Sequence, residues 1–151
     1  MVKTVGIGIT GGIASYKIAD LVSKLKTNGF DVIVMMTEGA THFISPLTFK
    51  TLSGREVATD LWSESLEYKV QHIGIAEKLD LLVIAPATAN FIAKMAHGIA
   101  DDLLSTVVVA NTSPVLIVPA MNSNMFKNPI VQDNLKKLQS YGYYVQEPDS
   151  G

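Results

Sequence analysis

Four short segments of this sequence combine small residues with hydroxyl or amide side chains, a composition that suits close contact with an anionic or planar ligand. Each segment follows an apolar run that predicts a β-strand. Because ligands of open parallel sheets bind beyond the carboxyl ends of the strands, we expect the segments to form one site. They are Gly11 to Ser15, Thr37 to His42, Pro86 to Asn90 and Pro119 to Asn122.

The first segment is a glycine-rich turn between the first predicted strand and the first helix. Glycines let backbone amides approach an anion, and a helix N-terminus favours negative charge, so this turn suits a phosphate. It matches neither a Walker loop nor G-x-G-x-x-G, and glycine-rich turns also occur merely as tight connections. Both roles therefore remain open. The candidate phosphate contacts are Gly11, Gly12, Ile13 and Ser15.

Hydroxyl and amide side chains also follow the second and third predicted strands. Thr37 could hydrogen-bond a phosphate or ribityl group, or it could cap the next turn. No acidic residue ends the second strand in the position that binds the ribose of NAD, which favours a mononucleotide. Thr88, Ala89 and Asn90 could hold the flat ring of a flavin. The alternative is that Thr88 or Asn90 caps a helix.

The segment after the fourth predicted strand offers an amide side chain to a substrate carboxylate. Its residues are Ala120, Met121 and Asn122, with Asn122 as the candidate for direct contact. Alternatively, Asn122 occupies a left-handed loop position, a common role of asparagine. Neither metal-site spacing nor a Ser-His-Asp order connects the three histidines, which are His42, His72 and His97.

Short β-type apolar runs alternate with segments of helical periodicity along the whole chain, which predicts βα units around a parallel sheet. The runs at 81–85 and 115–119 are almost wholly aliphatic, so we expect burial on both faces. Ser45-Pro46 and Asn128-Pro129 predict helix starts, and glycines predict helix ends at Gly29, Gly54 and Gly142. The predicted strands are Lys3 to Thr10, Asp31 to Thr37, Leu81 to Ala85, Val115 to Pro119 and Tyr143 to Gln146.

Length and composition narrow the class of protein. The 151 residues suit one α/β domain over 1–151, with helices on both faces of the sheet in three layers. A net charge of -2 offers no basic field to nucleic acid. Apolar runs far shorter than the ~20 residues that cross a bilayer predict no membrane span, and the absence of an export signal predicts a cytoplasmic protein. The charged fraction of 17% is low, which agrees with burial of surface in a homo-oligomer.

Taken together, the motifs resemble those of the homo-oligomeric flavin-containing cysteine decarboxylases. The likeness covers the whole chain in order and spacing, and Pro-Ala-Met-Asn with an upstream His-Ile is its more specific part. The branch it is most similar to acts on 4'-phosphopantothenoylcysteine in coenzyme A biosynthesis. The resemblance implies a flavodoxin-like, Rossmann-like fold. Its motifs are Thr10 to Lys17, His72-Ile73, Pro86 to Asn90 and Pro119 to Asn122.

The resemblance also implies a cofactor and roles for individual residues. FMN would have its phosphate held by the Gly11 to Ser15 turn and Thr37, and its ring near Thr88, Ala89 and Asn90. In such enzymes the flavin oxidises the cysteine side chain of the substrate to a thioaldehyde, after which CO2 leaves and an enethiolate remains. His72 would be the catalytic base, since imidazole exchanges protons near neutral pH. Asn122 would hold the departing carboxylate.

The family further implies a trimer, sometimes assembled into a dodecamer, with each active site shared between subunits. After Pro-Asp-Ser-Gly, its coenzyme A branch normally carries a flap with a cysteine that helps to reduce the enethiolate. This sequence stops at Gly151 and contains no cysteine, so we expect a truncated chain that lacks the flap and the reductive step. The alternative is an enzyme that releases the enethiol, as lantibiotic peptidyl-cysteine decarboxylases do.

Three other functions fit the sequence less well. A flavin prenyltransferase of related fold would carry a different first turn, and Pro119 to Asn122 argues against it. A catalytically inert regulatory subunit that binds flavin would carry an acidic tail, which this sequence lacks. A flavodoxin-like electron carrier would be more acidic than a net charge of -2. Cysteine decarboxylation is therefore the function that the sequence favours.

Overall fold

A five-stranded sheet forms the centre of the molecule in the computed structural model, which describes residues 1–61 and 71–148, with only the backbone at 71–73. The strands are β1 (Thr4–Ile9), β2 (Asp31–Met36), β3 (Leu81–Ala87), β4 (Val115–Pro119) and β5 (Tyr144–Val145). Their spatial order is β2-β1-β3-β4-β5, and all neighbours pair in parallel. The predicted parallel sheet is therefore confirmed.

Helices connect the successive strands. They are α1 (Ile18–Thr27), α2 (Glu38–Thr41), α3 (Pro46–Ser53), α4 (Gln71–Lys78), α5 (Ala89–His97), α6 (Leu103–Ala110), α7 (Ser123–Lys127) and α8 (Pro129–Ser140). A 3-10 helix over Ile13–Lys17 leads directly into α1. Within the described ranges, none of the helices combines the length and apolar character needed to cross a membrane.

Two hydrophobic clusters lie on opposite faces of the sheet. The broad face carries α4, α5, α6 and α8, which bury Ile75, Phe91 and Leu104 against it. The narrow face carries α1 and α3, which bury Val22 and Phe49. Each fully buried side chain of this size contributes about 1.5–3 kcal/mol relative to exposure, so both clusters stabilise the layers strongly. The predicted three-layer arrangement is confirmed.

Side-chain caps begin the helices where the sequence predicts them. Ser45 Oγ accepts a hydrogen bond from the Leu47 amide at 3.2 Å, with Pro46 as the first residue of α3. Asn128 Oδ1 accepts from the Ile130 amide at 2.9 Å at the start of α8. These bonds satisfy amides that a helix N-terminus leaves without a helical partner.

Strand β4 differs from its prediction. Leu116 and Val118 are only half-buried, whereas Val115, Ile117 and Pro119 are buried. The cause is the placement of the narrow-face helices. α1 and α3 pack over β2, at the opposite edge of the sheet, and so leave this face of β4 partly uncovered. The expected burial on both faces is therefore wrong for β4. It is confirmed for β3, in which every residue after Leu81 is buried.

Several predicted bounds also need correction. β1 and β2 each end one residue earlier than predicted, at Ile9 and Met36, and β1 begins at Thr4. β3 continues to Ala87, so Pro86 and Ala87 belong to the strand and not to the segment that follows it. The first helix begins as a 3-10 helix, a distinction that apolar periodicity does not reveal. The last strand is shorter than predicted and comprises Tyr144 and Val145 alone.

Glycine at position 8 allows buried side chains of the broad face to lie close to strand β1. A Cβ atom on Gly8 of β1 would lie 2.6 Å from Leu104 Cδ1 and 2.8 Å from Ile84 Cδ1. Both distances are shorter than carbon atoms tolerate. The missing side chain therefore leaves room for the side chains of Leu104 and Ile84 against β1.

We expect Gly8→Ala to lower the free energy of unfolding by about 1–3 kcal/mol, because an added methyl overpacks a dense core. Urea denaturation measures the change. Gly74→Ala in α4 is the matched control, since a Cβ there meets no described atom within 4 Å, and it should leave stability unchanged or raise it by up to about 1 kcal/mol. Equal stability of Gly8→Ala and the wild type would contradict the packing argument.

Candidate active site at the carboxyl edge of the sheet

The parallel register brings the carboxyl ends of β1 to β4 to one edge of the sheet. Backbone bonds extend the pairing into the predicted segments, since the Thr37 amide donates to Ile9 O at 3.0 Å and the Ala120 amide donates to Ala87 O at 3.1 Å. The four segments therefore meet, as their positions after the strands predict. The pairs nearest this edge are Ile9–Met36, Gly8–Ile84 and Ala87–Pro119.

A larger cavity of about 830 Å³ opens at this edge. Among the predicted cofactor residues it is lined by Gly11, Thr37, Thr88 and Asn90. Its volume lies within the range of small-molecule and cofactor sites. Its remaining lining comes from Thr10, from the segment around Gly39, from residues 59–61, from Phe91 and Lys94 of α5, and from the loop and first residue of α6 at 101–103.

A smaller cavity of about 480 Å³ adjoins the larger one. It brings together Gly11 to Ile13, Thr88-Ala89 and the predicted substrate residues Ala120 to Asn122, with Met125 beside them. Gly11 and Thr88 line both cavities. These two residues form the boundary between the cavities, so a ligand in either one can contact them.

The glycine-rich turn is built by close backbone contact and by one buried hydroxyl. A Cβ on Gly11 would lie 3.0 Å from the carbonyl carbon of Gly39, so only glycine fits without a shift of that backbone. Ser15 is fully buried, and its Oγ donates to Gly12 O at 2.6 Å and lies 3.2 Å from Thr10 O. Ser15 lines neither cavity. It therefore shapes the turn from beneath.

Thr37 and Thr88 both cap helices. Thr37 Oγ1 accepts from the Ala40 amide and Thr88 Oγ1 accepts from the Phe91 amide, each at 3.2 Å. The capping role is therefore observed for both hydroxyls. Each hydroxyl still has a hydrogen to donate towards the larger cavity that it lines. Their contacts with a cofactor stay a prediction.

Asn122 caps α7 and lines the smaller cavity. Its Oδ1 accepts from the Asn124 amide at 2.8 Å and from the Met125 amide at 3.4 Å. The Asn122 backbone φ of -54° excludes the left-handed loop position that the sequence left open. Nδ2 forms no hydrogen bond with the part of the chain that the structure describes. An amide donor thus remains for an anion.

An ion pair in the wall of the larger cavity was not predicted from the sequence. Lys94 Nζ lies 2.9 Å from Asp101 Oδ1, and the hydrogen bond from this ammonium holds the pKa of Asp101 below its usual value. Asp102 caps α6 in a capping box with Ser105. The signal available in the sequence was Gly98, a helix stop, followed by two aspartates before an apolar run.

His72 belongs to α4 by its backbone, but its side chain lies outside the described residues. Its predicted role as catalytic base stays a prediction. The described side chains contain no group of three or more histidine, aspartate or glutamate residues arranged to hold a metal ion.

Comparison with known proteins places this chain in a family. A protein-family profile described as Flavoprotein matches residues 2–151. The chain therefore belongs to the flavoprotein family. It is 48% identical over 150 residues to the coenzyme A biosynthesis bifunctional protein CoaBC of Borreliella burgdorferi, an alignment that covers 99% of this chain and 38% of that protein. The chain thus spans less than two fifths of that relative's length.

Two solved structures share the fold over nearly the whole chain. The FMN-dependent cysteine decarboxylase SpaF has a TM-score of 0.91 at 35% identity, with 100% of this chain and 86% of that chain covered. A mutant PPC decarboxylase complexed with pantothenoylaminoethenethiol has a TM-score of 0.84 at 29% identity, with coverage of 99% and 84%. The sheet with helices on both faces is therefore the flavodoxin-like, three-layer fold that these proteins share.

We expect Gly11→Ala to lower the free energy of unfolding by about 1–3 kcal/mol, because the new methyl would meet the rigid backbone of Gly39. Gly12→Ala is the matched control, since its Cβ would meet only Pro86 Cγ at 3.8 Å and its φ of -164° suits any residue. Thermal and urea unfolding of the cofactor-free proteins measure both. Equal losses in the two variants would contradict the close approach at Gly11.

Proposed function

We propose that residues 1–151 form one FMN-binding domain that decarboxylates 4'-phosphopantothenoylcysteine on the route to coenzyme A. The observation that carries this proposal is the convergence of all four predicted segments on two adjoining cavities with a shared boundary at Gly11 and Thr88. Such a pair of cavities lets a cofactor and a substrate meet at one place. The similarity to CoaBC and to PPC decarboxylase supports this choice of reaction and substrate.

The residues at the edge fit FMN. Gly11 and Gly12 present backbone without side chains, which suits the close approach of a phosphate to the turn that also contains Ile13. Thr37 and Thr88 offer hydroxyl donors, while Ala89 and Asn90 begin the helix beside the proposed ring position. Ser15 acts by holding the shape of the turn through its bond to Gly12 O. When bound, FMN supplies the two-electron oxidation of the substrate's cysteine side chain.

The smaller cavity holds the reacting end of the substrate. Asn122 Nδ2 donates to the carboxylate and so orients the bond that breaks when CO2 leaves. Ala120 and Met121 provide the adjoining wall. His72 exchanges protons with the substrate as the general base, a role that suits imidazole near neutral pH. The chain therefore contributes two functions, since Asn122 holds the carboxylate and His72 moves protons.

The proposed reaction is tested by anaerobic incubation of the purified protein with FMN and 4'-phosphopantothenoylcysteine. We expect release of CO2 together with loss of the oxidised flavin absorbance and a product mass that matches the enethiol, which has lost CO2 and has given two hydrogens to FMN. A cysteine-terminated peptide serves as the competing substrate. If only the peptide released CO2, the protein would be a peptidyl-cysteine decarboxylase and the proposed substrate would be wrong. An oxidised flavin with both substrates intact would contradict the proposed chemistry.

We expect Asn122→Asp to raise KM at least tenfold, because the variant keeps a capping oxygen but replaces the amide donor by a charge that repels a carboxylate. Asn128→Asp is the matched control, since Asn128 caps α8 through Oδ1 in the same way and lines neither cavity. Steady-state kinetics of CO2 release measure both variants. An Asn122→Asp enzyme with unchanged KM would contradict carboxylate binding by this amide.

The domain works as a homo-oligomer, either a trimer or a dodecamer, with active sites at the interfaces between subunits. Large apolar side chains at the smaller cavity support this assembly, since the exposed fractions are 78% for Ile13, 60% for Tyr16 and 48% for Met125. A second copy would cover this apolar surface. The half-buried residues of β4, Leu116 and Val118, leave further apolar surface on the narrow face of the sheet.

We expect Ile13→Glu to dissociate the oligomer, because a charge in an apolar interface lacks a partner there. Light scattering after size-exclusion chromatography gives the mass of the assembly. Ile130→Glu places the same charge on another exposed isoleucine that lines neither cavity, and it should leave the mass unchanged. The interface would have to be assigned elsewhere if Ile13→Glu kept the wild-type mass.

A further inference from the structure

We propose that Thr10 is a positioning residue for FMN, whose hydroxyl holds the glycine-rich turn and the Thr88-Ala89-Asn90 segment in the arrangement that binds the cofactor. Thr10 follows β1 directly, is only 1% exposed, and lines the larger cavity. The inference rests on the proposed function, because it concerns affinity for FMN. It adds a residue that acts through the neighbouring segments and not through a role in the reaction.

The side chain of Thr10 connects two segments that lie 76 or more positions apart in the sequence. Its Oγ1 donates to Pro86 O at 2.6 Å, and the same oxygen accepts from the Thr88 amide at 3.0 Å. The Thr10 amide adds a longer bond of 3.3 Å to Pro86 O. One hydroxyl therefore uses both its donor and its acceptor across the two segments.

The backbone of Thr10 is held on its other side as well. Ser15 Oγ lies at hydrogen-bond distance from Thr10 O, at 3.2 Å, and bonds more closely to Gly12 O. Ser15 thus stabilises the turn that begins after Thr10 through hydrogen bonds within it, and the Thr10 hydroxyl bonds the start of the turn to the end of β3. Thr10 takes part in both sets of hydrogen bonds.

The place of these bonds explains why cofactor affinity should depend on them. Gly11 is the next residue after Thr10, and Thr88 supplies one of the bonded amides. These two residues form the boundary of both cavities. The regular pairing between β1 and β3 ends earlier, at Gly8 and Ile84. The Thr10 hydroxyl therefore connects the two segments beyond that pairing.

Removal of this hydroxyl leaves the partly buried Thr88 amide without its partner and the Pro86 carbonyl with only its longer bond. The two segments would then hold their arrangement less firmly before FMN binds. A ligand that must order its own site binds more weakly, because part of its interaction free energy is used for that ordering. The site should therefore lose affinity for FMN although the Thr10 hydroxyl is already bonded to Pro86 O and to the Thr88 amide.

The test compares Thr10→Val, which is nearly isosteric but lacks the hydroxyl, with Thr10→Ser, which keeps it. We expect the Kd for FMN to rise at least about tenfold in Thr10→Val, the scale of one to two lost hydrogen bonds. It should stay within about threefold of wild type in Thr10→Ser. Quenching of flavin fluorescence on titration with the full 151-residue chain gives each Kd.

Ser53→Ala is the matched control for stability. Ser53 is 2% exposed, lines neither cavity, and its hydroxyl likewise lies between a backbone acceptor and a backbone donor, both of Arg55. We expect Ser53→Ala to lower the unfolding temperature while its Kd for FMN stays at the wild-type value. A Thr10→Val protein with a wild-type Kd would overturn the inference alone. No binding of FMN by the wild-type chain would overturn the proposed function, and the inference with it.

A second measurement on the wild-type protein does not depend on the folding of a variant. Hydrogen exchange followed by NMR reports whether the Thr88 amide is protected before FMN is added. We expect protection in the cofactor-free protein, because the amide already donates to Thr10 Oγ1. An unprotected Thr88 amide that gains protection only with FMN would overturn the inference, since the segments would then be arranged by the cofactor.

Discussion

Parallel pairing of the first four strands is the constraint on which the site depends. β1 pairs with β2 on one side and β3 on the other, so the chain leaves all three strands at the same edge. β4 adds the fourth exit next to β3. Backbone hydrogen bonds fix this register. Residues far apart in the sequence therefore lie close together even where their side chains do not interact. The hydroxyl of Thr10 then refines an arrangement that the sheet has already made.

Much of the fold could be predicted because its signals are local. Ser45-Pro46 and Asn128-Pro129 mark helix starts through a capping oxygen and a residue that needs no amide partner, and both starts are observed. The aliphatic run of β3 indicates a strand buried on both faces, which is also observed. The burial of β4 could not be read in the same way, because it depends on where α1 and α3 pack and not on the strand's own residues.

The sequence predicts which segments form the site, but it does not predict the hydrogen bonds and the ion pair that connect them. Position after a strand identifies Gly11 and Thr88, and the structure brings them to one boundary. The bonds of Thr10 have partners 76 and 78 residues away, and no local pattern reveals such a pairing. The ion pair of Lys94 with Asp101 joins the end of one helix to the loop before the next. Such contacts follow from packing, which sequence periodicity does not specify.

A crystal structure of the chain with bound FMN tests the central claim most directly, because the claim concerns where the cofactor lies. The account predicts an FMN molecule that contacts both Gly11 and Thr88 and whose phosphate accepts hydrogen bonds from backbone amides of the Gly11 to Ser15 turn. The smaller cavity beside Asn122 would stay open for substrate. FMN bound away from the Gly11 and Thr88 boundary would contradict the account.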